Sequence, residues 1–165
     1  MRRHTNILIL LLLTGLCISA GAQNNPYKID DSLYPIFQRA IKWRTQPQGL
    51  LIADTLYAEA TQKKDKKAQC LALTIPVSFY LSTNNYEKLE QAAARAKEEA
   101  RKNNYLQYYY SACTNEINCL LNNGHSLRAL QKAEEMKKLA QDAKVKAQAE
   151  RHAKLLAERE AQKTA

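Results

Sequence analysis

Apolar residues in this chain recur at helical spacing within short segments, and the segments themselves recur. Leu33, Ile36, Phe37, Ala40 and Ile41 share one face of a helix expected over residues 32–44. A shift of forty residues lays Leu33 on Leu73 and Cys113, Phe37 on Val77 and Ile117, Ala40 on Tyr80 and Leu120, and Ile41 on Leu81 and Leu121. Past a turn the register continues through Ala53, Ala93 and Ala133, then Leu56, Ala96 and Met136, then Ala60, Ala100 and Ala140. Three copies of a two-helix unit are predicted. One such unit cannot bury its own apolar face, so the copies must stack, giving an all-α helical array of about three helix pairs.

Within the first pair, Asp30, Asp31 and Ser32 offer N-cap side chains, and Pro35 is tolerable in the first turn. Pro47 and Gly49 should turn the chain over residues 45–49, after which Leu51, Ile52, Leu56 and Ala60, with Ala53 beside them, form an inner face. The next helix turns Cys70, Leu71, Leu73, Val77, Tyr80 and Leu81 inward and carries Pro76 in its interior, which predicts a kink. Its partner, from Tyr86 to about Lys102, is rich in alanine, glutamate and lysine and helical on propensity alone. Asn103-Asn104 and Asn122-Asn123-Gly124 bound the fifth helix, which opens on Tyr105, Tyr108, Tyr109 and Tyr110. From Leu127 no proline or glycine interrupts the chain, so a long C-terminal helix is expected. Its apolar stripe thins to alanine beyond Leu139. Residues 144–165 read as a charged helical tail, a capping helix or weak coiled coil able to pair with a second copy, and not as a fourth repeat.

The start of the chain changes where this array is expected to work. Met-Arg-Arg-His precedes an apolar run over residues 7–19 and the small residues Ala20-Gly21-Ala22, the pattern of a signal peptide over residues 1–22. The run is too short for a span, which needs about 20 residues. The mature chain is thus expected to be periplasmic or otherwise extracytoplasmic and without a stable membrane span. Residues 23–31 form an extended lead-in to a repeat domain over residues 32–143. The formal charge of +9 falls to +7 on loss of Arg2 and Arg3. Its lysines and arginines alternate with glutamates along helices, a solvated pattern that argues against nucleic acid.

Catalytic chemistry is not encoded in any recognisable form. The sequence has no phosphate-binding glycine motif, zinc-protease motif or nucleophile elbow, and His125 and His152 lack partners at catalytic or ligating spacing. Cys70, Cys113 and Cys119 remain after processing, an odd number without Cys-x-x-Cys spacing, and read as buried filler in preference to a disulfide or metal site. No enzyme, cofactor or metal is expected. Tyr80, Tyr108 and Tyr109 are the candidate partner-binding residues, in a groove lined by the first helix of each pair; the competing role for Tyr105, Tyr108 and Tyr109 is as wedges between helices.

Gly49, Ala53 and Leu56, then Leu89, Ala93 and Ala96, then Ala129, Ala133 and Met136 give the second helix of each unit small or apolar residues four and three apart. In this the chain resembles tetratricopeptide repeats, lengthened to forty residues from the usual 34 or so. The resemblance implies a right-handed solenoid of helical hairpins that binds a peptide or protein. The segment Asn25-Pro26-Tyr27-Lys28-Ile29-Asp30-Asp31-Ser32-Leu33-Tyr34-Pro35 is similar to the extracytoplasmic repeat regions of sensor histidine kinases from Bacteroidetes-type bacteria. That second resemblance implies the alternative role, a shortened sensor that signals through its C-terminal helix.

Overall fold

Among the described residues, four of the five helix junctions are built alike, and they fall twenty residues apart. In the computed structural model, which describes residues 25–163, Lys64, Asn84, Asn104 and Gly124 all take the left-handed backbone conformation, with φ of 58°, 51°, 59° and 74°. The residue after each sends its N–H five residues back: Asp65 to the Ala60 carbonyl at 2.9 Å, Asn85 to Tyr80 at 2.9 Å, Tyr105 to Ala100 at 2.8 Å and His125 to Leu120 at 2.8 Å. These bonds satisfy helix-end carbonyls that would otherwise lack donors. Asp65 and Asn85 then start the following helices, their side chains accepting from the backbone N–H of Ala68 at 2.9 Å and Lys88 at 3.1 Å.

The described residues form helices α1 (Tyr34–Lys42), α2 (Pro47–Gln62), α3 (Lys66–Ser82), α4 (Tyr86–Lys102), α5 (Leu106–Asn122) and α6 (Ser126–Lys163), with no strand among them. The chain is all-α and repeat-like. The signal peptide expected over residues 1–22 lies outside the described residues. No helix among those described is long and apolar enough to cross a membrane.

The first junction breaks the cadence and corrects the expected role of Gly49. That residue lies inside the first turn of α2, and a Cβ there would meet the Trp43 carbonyl oxygen at 2.3 Å. Close approach, and not a turn conformation, requires the glycine. The lead-in also differs from expectation. The N-cap position of α1 is Leu33 with no side-chain bond, while Asp30 accepts from the Ser32 N–H at 3.0 Å and hydroxyl at 2.6 Å. The Asp30 N–H donates to Asp65 at 2.7 Å, and the Tyr27 ring meets Phe37 edge-on at 4.7 Å, so this segment is docked onto the α2–α3 turn and the core.

Each helix packs on the next, and α3 also packs on α1 and α5. The even-numbered helices α2, α4 and α6 make no such contact with one another. The odd-numbered helices therefore form a closed row, and the even-numbered ones splay. On α2 the buried stripe is Gly49, Ala53, Leu56 and Ala60, and on α4 it is Leu89, Ala93, Ala96 and Ala100. Full burial of a leucine such as Leu56 or Leu89 stabilises by roughly 1.5–3 kcal/mol, and the alanines between them let neighbouring backbones come close. Leu51, expected inward, is 70% exposed. Phe37 and Val77 are buried at equivalent positions, while Ile117, in the last pair, is half-buried. Helix α3 is the most enclosed, burying Ala68, Gln69, Cys70, Leu71, Ala72, Leu73, Ile75 and Val77, and it runs unbroken through Pro76.

Candidate functional site

The splay of the even-numbered helices leaves two equivalent gaps, each floored by the odd-numbered helix beneath. The first lies between α2 and α4 over α3 and holds a cavity of about 380 Å³. Leu73, Pro76 and Tyr80 supply its floor, since residues spaced three and four apart share a helix face. Leu50 and Asp54 form the α2 wall, and Lys88, Gln91, Ala92 and Arg95 form the α4 wall. The Lys88 ammonium sits 5.9 Å from the Tyr80 ring centroid and the Arg95 guanidinium 4.9 Å from that of Tyr57. Among the described residues neither cation is in an ion pair.

The second gap lies between α4 and α6 over α5, and it is filled. Its floor position, forty residues after Pro76, is Glu116, only 1% exposed. Lys97 of α4 reaches one carboxylate oxygen at 2.6 Å and Lys132 of α6 the other at 3.2 Å. The cluster extends outward. Tyr86 donates its hydroxyl proton to Glu90 at 3.0 Å and accepts from Arg128 at 3.0 Å, with the Arg128 guanidinium 5.1 Å from the ring centroid. Burial pulls the Lys132 pKa down, but the charge and hydrogen bond of Glu116, helped by Tyr86 and Glu90, outweigh it and leave the pKa above the ordinary lysine value.

The three sequence-predicted tyrosines go to different places. Tyr80 lines the open gap. Tyr108 is half-buried against the core of Leu33, Phe37, Leu71 and their neighbours, where burial pushes its phenol pKa up. Tyr109 accepts a hydrogen bond from Arg101 at 3.1 Å and lies under that guanidinium at 5.2 Å, in a surface dip with Lys97 and Glu98. Only Tyr80 thus belongs to the open gap.

Cys70, Cys113 and Cys119 are free and buried, and burial raises each thiol pKa, that of Cys70 to about 11. Such thiols stay protonated and are poor nucleophiles. No group of three or more His, Cys, Asp or Glu among the described residues could hold a metal ion. Between the α3–α4 and α5–α6 turns, Asn84 and Asn123 exchange side-chain hydrogen bonds at 3.2 and 2.9 Å.

Sequence reasoning missed Glu116 and its two lysines. The available signal was register: Ala112, Cys113, Glu116, Cys119 and Leu120 form one buried stripe, and a glutamate inside such a stripe must be paired. Compared with family models, with curated proteins and with solved structures, the chain matches none.

Proposed function

We propose that this protein is a non-enzymatic, exported interaction module of tetratricopeptide type, a right-handed solenoid of three helix pairs that binds a peptide or protein partner. The observation that supports this reading most is the open α2–α4 gap beside a filled equivalent. The cavity has apolar residues on its floor and, on one wall, cations that are in no ion pair among the described residues, the mixture by which concave sites fix orientation and specificity. The pattern of helix contacts, with one closed row and one splayed row, supports the solenoid. A photo-crosslinking residue at Leu50 or Ala92, in the full chain expressed with its signal, tests the docking site. Adducts to one polypeptide from both positions, and none from Gln131 on α6, are expected; no adduct, or equal labelling from all three, would retire it.

A second reading has one observation in its favour. Helix α4 lines the open gap with Lys88 and Arg95 and the filled gap with Glu90 and Lys97, so a partner in the first gap presses on the helix that holds α6. In this reading the protein is a shortened extracytoplasmic sensor of a two-component histidine kinase and signals through α6. Crosslinks from the far end of α6 to a membrane kinase would support it; crosslinks confined to a non-kinase partner would remove it.

A further inference from the structure

We infer that the α2–α4 gap accepts a carboxylate side chain from an acidic, leucine-containing segment of a partner polypeptide, in the manner of Glu116 in the neighbouring gap. This rests on the docking site proposed above and adds its chemistry.

The molecule contains its own precedent. Where the second gap closes, a carboxylate rises from the floor helix and lysines from both walls turn inward to meet it. In the first gap the floor residue at that register is Pro76, which has no group to offer. The positions of Lys97 and Lys132 are here Tyr57 and Ala92, and the α4 wall instead presents Lys88 and Arg95, seven residues and so about 10 Å apart along the helix. Both cations are exposed and held against tyrosine rings. The stacked Arg95 guanidinium keeps a planar fork that suits a carboxylate, and stacking lowers the entropy lost when one binds. Asp54 on the opposite wall repels an incoming acid and confines it to the α4 side. Leu50, Leu73 and Ala92 give the acid's apolar neighbours a surface to cover. The cavity, about 380 Å³, lies at the small end of the range for ligand pockets and suits one or two side chains.

The experiment is fluorescence anisotropy on the signal-free chain, with a labelled, end-capped peptide of alternating leucine and glutamate, its leucine–glutamine counterpart, and free glutarate as competitor. The glutamate peptide should bind about tenfold tighter than the glutamine peptide, as one or two exposed charge-assisted hydrogen bonds allow. The K88Q/R95Q double variant should bring the two peptides to equal affinity. Pro76→Glu supplies the missing floor carboxylate and removes a helix-interior proline, so it should fold at least as well by circular dichroism and lose the glutamate peptide. Equal affinity of the two peptides for the unaltered chain would overturn the carboxylate assignment while leaving a docking groove in place. Undiminished binding by Pro76→Glu would place the peptide elsewhere and overturn it too, as would failure of the glutamate peptide to bind. Displacement by glutarate as efficiently as by unlabelled peptide would overturn the polypeptide assignment in favour of a small dicarboxylate.

Discussion

The two gaps flanking α4 share an architecture and differ in what the floor helix and the facing wall positions supply. Over α5, Glu116 draws in Lys97 and Lys132 and the space closes; over α3, Pro76 supplies nothing and the space stays open. Helix spacing creates the gap, and three register positions distinguish the closed one from the open one: Glu116, Lys97 and Lys132 stand where the open gap has Pro76, Tyr57 and Ala92. The filled gap is not thereby a large source of stability, because taking the glutamate and lysines out of water offsets much of their attraction. Its clearer effect is positional. Among the described residues helix α6 packs its backbone only on α5, and the ion cluster supplies its ties to α4.

The comparison breaks most visibly if Glu116 is replaced by leucine. Removing one member of a buried pair costs about 3–5 kcal/mol, and the loss falls at the low end here because both lysines keep a route to water. Urea denaturation should show this loss, and a Glu116→Leu/Lys97→Met double variant should recover part of it. An unchanged midpoint for the single variant would mean the gap is not held shut by charge. The cluster also has a pH signature. Because the folded-state Lys132 pKa lies above the ordinary lysine value, its contribution is fully present below that value and is lost as pH rises through the folded one. Thermal melts above about pH 10.5, the ordinary lysine value, should therefore destabilise the parent more steeply than Glu116→Gln.

Gly49→Ala sharpens the other side of the comparison, since it acts on the wall of the open gap. A methyl group 2.3 Å from the Trp43 carbonyl oxygen must displace α2 or α1, at about 2 kcal/mol. The same shift should alter peptide affinity in the open gap without touching the α4–α6 cluster, which tryptophan fluorescence of Trp43 and a peptide titration would report together. Smallest is the effect of Lys64→Gly. Lysine at φ 58° pays a conformational cost that glycine avoids, so thermal denaturation should show a gain of about 0.5 kcal/mol with both gaps unaltered.

The forty-residue register was legible because stacking demands apolar residues at fixed positions, and the extents of α4 and of the Asn-Asn and Asn-Gly links followed from propensity and turn chemistry. Lys64 was not legible as a turn residue, since nothing in a lysine signals a left-handed conformation that its neighbours impose. Leu51 was misplaced for a related reason: its face is fixed by Gly49, whose closeness to Trp43 sets the rotation of α2. The site was harder to read. Tyr80 lines the gap, but the walls come from helices whose backbones do not pack on each other, and only the folded arrangement brings Lys88 and Arg95 to one cavity with Leu50 and Asp54. Nothing local marks Glu116, because the two lysines that pair with it lie on other helices.

The four matching junctions make this chain extensible in whole hairpins. Asn104 leaves its helix as Lys64 does, so a duplicate of residues 65–104 spliced after Asn104 would hand the chain from one copy to the next through a joint the protein already uses. The insert would bring its own proline floor and its own lysine and arginine. The copied α3 would take the place that α5 holds against α3 and α4, so that one interface would have to be redesigned before the number of hairpins set the number of such gaps.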